Sequence, residues 1–124
     1  MPEKKPTLIY LSHAFGGDPA NTQDVEQRIR QLYRDHICSM SIRHHKVIFV
    51  SPLHALGFLY DLVPYQQGLD NCLELLDRCK LMVTFKGHDQ STGVLAEKAY
   101  CAAHGIPVID FEELRFNLRR GSIL

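Results

Sequence analysis

The sequence has no excess of either charge. Lysine and arginine together number 14, aspartate and glutamate also number 14, and the formal net charge is zero. Proteins that bind along a nucleic-acid polymer rely on a surplus of basic residues to neutralise phosphates. The balance therefore argues against a nucleic-acid polymer as the partner, while leaving room for a small local anion site.

Long hydrophobic runs are also missing. No apolar stretch approaches the roughly 20 residues that cross a bilayer, although 45% of the residues are hydrophobic. Residues 1–6 lead directly into a strand-like segment, without the apolar stretch or the small-residue cleavage site of a signal peptide. These features predict no membrane partner and a cytoplasmic location.

Several motifs of known chemistry are absent. The 4 cysteines form no Cys-x-x-Cys pair, which favours buried thiols over disulfides in a reducing compartment. The 7 histidines show no His-x-x-x-His or mixed Cys/His spacing, so we predict no metal and no cofactor. Neither a Gly-x-Ser-x-Gly elbow nor a Gly-x-Gly-x-x-Gly fingerprint occurs.

The 124 residues suit one domain, and no repeat or linker divides residues 1–124. Short apolar, β-rich segments predict strands at 7–12, 46–50, 80–85 and 107–110. Helical spacing of apolar residues predicts helices at 21–38, 65–78, 91–104 and 111–118, the third ending at Gly105. Residues 53–64 are predicted to be a loop with a helical turn, because Gly57 and Pro64 limit regular structure.

This alternation of strands and helices predicts an α/β fold. Strands with nearly continuous apolar runs are typical of a parallel sheet covered by helices on both faces. Right-handed crossovers make such a sheet doubly wound, and its ligands lie beyond the carboxyl ends of the strands. We therefore expect the functional residues at 12–18, 51–60, 86–93 and after 110.

The loop after the first strand contains candidate binding residues. They are Ser12, His13, Phe15, Gly16 and Gly17. Two glycines before a helix allow backbone N–H groups to turn toward an anion such as phosphate. The alternative is that Gly-Gly only forms a turn.

Two carboxylates and a tyrosine are candidates for catalysis. Glu97 follows Ser91 and Gly93 on the third helix, where it either faces a ligand or complements the helix dipole, with Ser91 as a helix cap. Asp70 lies at the edge of the buried side of the second helix, where a solvated position is the alternative. A pair of carboxylates can carry out nucleophilic and acid–base work on a glycosidic bond. Tyr10 either orients a carboxylate or belongs to the core.

Three segments together resemble the nucleoside 2-deoxyribosyltransferase superfamily, which includes the 2′-deoxynucleoside 5′-phosphate N-hydrolases. IYLSHAFGG is similar to the opening strand and glycine-rich turn of that family. STGVLAEKAYCAAHGIPVI resembles its most recognisable signature, and residues 65–85 match its layout of an Asp-bearing helix followed by a strand. The resemblance covers residues 7–109 and is most specific around Glu97.

The resemblance implies a Rossmann- or flavodoxin-like sheet of four to five strands and a role for each matched residue. Glu97 falls at the catalytic nucleophile, and Asp70 at an aspartate that acts on the departing base. Tyr10 matches the tyrosine that positions the glutamate. Ser91 matches a serine that binds phosphate in the 5′-phosphate hydrolases.

The implied function is an N-glycosidase or deoxyribosyltransferase acting on a nucleoside or nucleoside 5′-monophosphate. On this view Ser12, Gly16 and Gly17 form the other half of a phosphate site. Two departures favour an alternative, a non-catalytic nucleotide-binding protein. Ala14 and Phe15 replace the basic residue of the hydrolases, and residues 51–65 match no family hallmark.

Aromatic residues within 51–65 are relevant to the oligomeric state of the protein. The family usually forms dimers or larger oligomers in which neighbouring chains complete each site. Phe58, Tyr60 and Tyr65 suit such an interface. We therefore expect a homodimer or a higher homo-oligomer.

A third hypothesis for the function is a structural or interaction domain that binds no ligand. The neutral net charge and the pattern of buried strands are compatible with it.

Overall fold

Four parallel strands organise the part of the chain that the structure, a computed structural model, describes: residues 6–36 and 47–124. The strands are β1 (Thr7–Ser12), β2 (Val47–Val50), β3 (Leu81–Thr84) and β4 (Val108–Asp110). They form one sheet in the order β2-β1-β3-β4, and each neighbouring pair is parallel. The predicted α/β fold with a parallel sheet is confirmed.

Helices connect these strands and cover both faces of the sheet. They are α1 (Pro19–His36), α2 (Pro52–Leu56), a 3₁₀ turn (Gly57–Leu59), α3 (Tyr65–Asp77), α4 (Thr92–His104) and α5 (Phe111–Arg119). Gly105 ends α4 with a φ of 70°, the left-handed conformation expected of a glycine at that position. In residues 6–36 and 47–124, no helix combines the length and hydrophobicity needed to cross a membrane.

The prediction for residues 53–64 was wrong in part, because a helix, α2, begins at Pro52. The Ser51 side chain accepts a hydrogen bond from the backbone N–H of His54, and Pro52 occupies the first position of the helix. A serine cap followed by proline is a helix-start signal. The sequence analysis ended a strand at residue 50 and did not use this signal.

The first helix also begins earlier than expected, at Pro19 instead of residue 21. The Asp18 carboxylate accepts a hydrogen bond of 2.9 Å from the backbone N–H of Ala20. Asp18 therefore satisfies a free N–H group at the start of α1, and the expected first residue, Asn21, lies inside the helix. The expected end of this helix at Cys38 falls outside the described residues.

The two faces of the sheet bury different side chains of β1. Ile9 and Leu11 belong to the core on one face, together with residues of α1 and α5. Tyr10 belongs to a second core on the opposite face, with residues of α3 and α4 such as Leu76 and Cys101. Because side chains alternate along a strand, Tyr10 and Ser12 both face α3 and α4.

Candidate ligand-binding site around Glu97

A cavity of about 440 Å³ opens at the carboxyl end of β1 and β3. With the strand order β2-β1-β3-β4, the crossovers change direction between β1 and β3. Doubly wound sheets bind their ligands at this switch point. His13 and Phe15 from the loop after β1 line the cavity, as does Glu97 from α4. The cavity thus lies at the edge where the sequence predicts ligand binding.

Glu97 is a buried carboxylate, only 6% exposed. It belongs to the buried stripe of α4 with Val94 and Cys101, at intervals of three and four residues. The Tyr10 hydroxyl donates a hydrogen bond to its Oε2. The Ser12 hydroxyl donates to its Oε1 at 2.8 Å. Both carboxylate oxygens are therefore held by neighbouring positions of β1.

Burial and hydrogen bonding act on the Glu97 carboxyl in opposite directions. Burial raises the pKa of Glu97, and the hydrogen bonds from Tyr10 and Ser12 lower it in part. The net result is a pKa above the ordinary value. Burial, and then the charge of Glu97, raise the pKa of Tyr10, so this hydroxyl stays a neutral donor.

A thiol on α3 completes the surroundings of this pair. Cys72 lines the cavity and interacts with both Tyr10 and Glu97. Burial, followed by the charge of Glu97, raises the pKa of the Cys72 thiol, while the contact with Tyr10 lowers it. The sequence analysis had interpreted this cysteine only as a buried thiol, since nothing local marks its approach to β1.

The Gly-Gly pair forms a turn between β1 and α1. Gly16 and Gly17 have φ values of 61° and 77°. The N–H of Asp18 donates to the carbonyl oxygen of Phe15 at 3.1 Å across the turn. Two consecutive positive φ values define a turn that favours glycine. The structure therefore explains the glycines by backbone geometry, and of this pair only Gly16 lines the cavity.

Ser91 and Gly93 lie at the cavity edge, where α4 begins. The Ser91 hydroxyl accepts a hydrogen bond of 3.4 Å from the N–H of Val94, as a helix cap does. Both Ser91 and Gly93 line the cavity. Ser12, by contrast, is fully buried and donates to Glu97, so the two serines of the expected phosphate site have different surroundings.

Asp70 is not brought to the cavity. Its side chain is exposed and accepts a hydrogen bond of 3.0 Å from Gln66, one turn earlier on α3. The next two residues, Asn71 and Cys72, do line the cavity. Asn71 is thus the polar residue of α3 that the sequence analysis missed beside Asp70.

The remaining cavity wall is largely apolar. Its residues from 52–65 are Pro52, Leu53, Leu56, Gly57, Leu59, Tyr60, Val63, Pro64 and Tyr65. The rings of Phe15 and Tyr60 meet edge to face, with centroids 5.3 Å apart. Helix α2 and the 3₁₀ turn bring these side chains over the carboxyl end of the sheet. The segment that matched no family hallmark is therefore a wall of this site.

The chemistry of the cavity follows from these residues. Ligand pockets are mostly apolar with a few placed polar groups, and span about 300–1,000 Å³. This one carries a single carboxylate, Glu97, and neither lysine nor arginine, among the described residues that line it. The cavity is therefore suited to a ligand that has a flat apolar part and a polar group in contact with the Glu97 carboxylate.

Comparisons of this chain with protein-family models, with curated proteins and with solved structures find no significant match.

Proposed function

We propose that this protein is an N-glycosidase or deoxyribosyltransferase that cleaves the base–sugar bond of a nucleoside or nucleoside 5′-monophosphate. The observation that carries the proposal is the placement of Glu97. Its carboxylate lies in a cavity at the switch point of the sheet, with both oxygens held by Tyr10 and Ser12. A nucleophile must be fixed toward the reacting carbon, and two donors from one strand provide this orientation.

The reaction takes place in two displacement steps. A Glu97 oxygen forms a bond to the anomeric carbon while the bond from that carbon to the base nitrogen breaks. The electron pair of the broken bond leaves with the base, which takes up a proton. Water or a second base then attacks the anomeric carbon and releases the Glu97 carboxylate. Tyr10 acts throughout as a positioning residue.

The apolar wall supports a nucleoside more directly than a phosphate. Phe15, Tyr60 and Tyr65 offer aromatic surface to a flat base. The groups of the cavity that can hydrogen-bond to a 5′-phosphate are Ser91, backbone N–H groups at the start of α4, and His13. We therefore place the base against the aromatic wall and the sugar beside Glu97.

A second candidate is a nucleotide-binding protein without catalysis. The observation that favours it is the position of Asp70, which is exposed and hydrogen-bonded to Gln66. Without Asp70 at the leaving base, Asn71 is the polar residue of α3 that remains for that contact. A neutral amide binds a base by hydrogen bonds but does not supply a proton.

We also propose that the protein forms a homodimer or a larger homo-oligomer. Phe58 and Leu62 are 74% and 73% exposed, and Tyr60 and Tyr65 beside them are also exposed. Exposed aromatic and aliphatic side chains of this kind favour contact with a second chain. Light scattering is expected to give at least twice the mass of one chain, and the Phe58→Asp variant is expected to be smaller.

The experiment for the lead proposal follows free base by chromatography. Wild type, Glu97→Gln and Glu74→Gln are incubated with a panel of nucleosides and 5′-monophosphates. Glu74 lies on the exposed side of α3 and is the matched control. We expect base release by wild type and Glu74→Gln, and a loss of about 1,000-fold or more in Glu97→Gln, as for removal of a nucleophile.

Melting temperatures with the same panel separate the two candidates. Nucleotides that raise the melting temperature without any base release favour the binding protein. Undiminished release by Glu97→Gln contradicts the glycosidase mechanism. The accepted substrates also decide whether the 5′-phosphate is recognised.

A further inference from the structure

A second group of titratable side chains lies beside the cavity, outside the Glu97 site. Its members come from three elements: His13 follows β1, Asp24 belongs to α1, and His88 follows β3. Asp24 Oδ2 lies 2.7 Å from His13 Nε2 and 4.0 Å from His88 Nε2. The two imidazole rings are stacked with centroids 4.0 Å apart.

The hydrogen bonds of His13 determine which ring nitrogen carries a proton. His13 Nδ1 lies 2.7 Å from the carbonyl oxygen of Ala14. A carbonyl only accepts, so Nδ1 is the donor in this contact. In the neutral imidazole, Nε2 then presents a lone pair to Asp24 Oδ2. Two acceptors at 2.7 Å require a cation between them, either a proton or a metal ion.

The side chains of this group are chemically suited to a metal ion. One carboxylate and two imidazoles offer one oxygen and two nitrogen ligand atoms. Carboxylates and neutral imidazoles are the forms of these side chains that bind metals.

We propose that His13, Asp24 and His88 form a binding site for a divalent transition-metal ion such as Zn²⁺. Two imidazoles and one carboxylate are a common ligand set for such ions. Ligating histidines usually donate their other N–H to a carbonyl, and ligating carboxylates are themselves hydrogen-bonded. Ala14 and Arg28 have these two roles here, since Arg28 Nε donates to Asp24 Oδ2 at 3.0 Å.

Metal binding requires changes in distance and in the orientation of one imidazole ring, because ring-nitrogen lone pairs lie in the ring plane and the two rings are stacked at an interplanar angle of 23°. With metal–ligand bonds of about 2.0–2.1 Å, tetrahedral ligand atoms lie about 3.3 Å apart. The contact between His13 and Asp24 has to lengthen from 2.7 Å, and that between His88 and Asp24 has to shorten from 4.0 Å. The ligating atoms of the three residues already lie within 4.8 Å of one another. The loop that carries His88 also contains Gly87, at a φ of 86°.

The position of the site suggests what the ion does. Three protein ligands leave one position of a tetrahedral ion for water or a bound ligand. His13 also lines the cavity, so the ion would lie at its edge. The ion also cross-links the β1 loop, α1 and the β3–α4 loop, which raises stability by mass action. This proposal does not depend on the glycosidase mechanism.

The test measures Zn²⁺ binding to the metal-free full chain by titration calorimetry, with Co²⁺ absorption as a report on coordination. We expect one ion per chain and a higher melting temperature with Zn²⁺. His88→Ala and Asp24→Asn are expected to bind at least about tenfold more weakly. His88 lies on a half-buried loop, so its variant is expected to fold, as its melting temperature without metal will show.

Two controls address binding by other histidines. His104→Ala removes an exposed imidazole that stacks on Tyr100, away from the group. A double variant that replaces both His44 and His45 by alanine removes the two histidines that are adjacent in the sequence. Both controls are expected to bind Zn²⁺ as wild type does. The proposal is overturned if wild type binds no Zn²⁺, if His88→Ala binds it equally well, or if only the His44/His45 variant loses it.

Discussion

Replacing Tyr10 by Phe removes one hydroxyl from the centre of the Glu97 site and leaves the ring in the core. Tyr10 is fully buried, and its hydroxyl donates to a carboxylate that is itself 6% exposed. A hydrogen bond to a charged group contributes about 1.5–3 kcal/mol to stability. We therefore expect Tyr10→Phe to lower the free energy of unfolding by about 2 kcal/mol where Glu97 is ionised.

This loss of stability depends on pH in a definite direction. Burial raises the pKa of Glu97 in the folded protein above its value in the unfolded chain. Stability from the neutral carboxyl is fully present below the unfolded pKa and is lost as the pH rises through the folded pKa. The Tyr10 hydroxyl opposes this loss, because it donates to the ionised form. The effect of Tyr10→Phe is therefore larger above the folded pKa than below it.

The assay is urea unfolding of wild type and variant at an acidic and at an alkaline pH, about 4.5 and about 8. The matched control is Tyr100→Phe, whose hydroxyl donates to Asp77 at 2.7 Å near the surface. We expect the control to stay close to wild-type stability at both values. An equal loss of stability at both pH values, or a loss no larger than the control's, refutes the reasoning.

Three further substitutions test other parts of the site. Gly17→Ala is expected to lower the free energy of unfolding in urea more than Gly121→Ala does. Both glycines have a positive φ, 77° and 79°, but only at Gly17 would the new β-carbon lie 2.9 Å from the Tyr60 ring. Equal losses of stability would mean that the Tyr60 ring moves aside freely. Ser91→Ala is expected to remove about 1 kcal/mol by loss of the α4 cap, measured by thermal unfolding, whereas Ser91→Thr is expected to retain most of it. Asn71→Ala is expected to weaken binding of the best nucleoside at least about tenfold in calorimetry, and Asp70→Asn to leave it unchanged; the reverse ranking would return Asp70 to the site.

Local sequence patterns were sufficient to predict the sheet. The apolar segments at 7–12 and 80–85 predict strands from local composition, and the structure has a strand over the whole of the first segment and over Leu81–Thr84 in the second. Gly105 marked the end of α4 because only glycine adopts the left-handed conformation easily. These features depend on neighbours along the chain, which the sequence displays.

Positions on a helix surface were harder to predict. In the sequence, Leu69 and Leu73 indicate the buried side of α3, and Asp70 is predicted to lie at the edge of that side. One residue corresponds to a rotation of about 100°, however. That rotation separates the exposed Asp70 from Asn71 and Cys72, which line the cavity.

Rules based on residue spacing do not predict contacts between segments that are distant in the sequence. A search for His-x-x-x-His found no metal ligands, yet the fold brings His13, Asp24 and His88 together from three elements. Functional residues were expected at 51–60, and residues of this stretch do line the cavity; what the sequence did not show is that residues 52–65 form an apolar wall. Its role follows from α2 lying over the end of the sheet, which no local pattern records.

The most direct test of the central claim is the mass of the peptide that contains Glu97 during the first turnover. Wild type is mixed with the best nucleoside of the panel, the reaction is quenched in acid, and the digested peptides are analysed by mass spectrometry. We predict that the peptide containing Glu97 gains the mass of the sugar, and that Glu97→Gln neither gains it nor releases base. A sugar attached to another residue, or release of base by Glu97→Gln at the wild-type rate, would contradict the account.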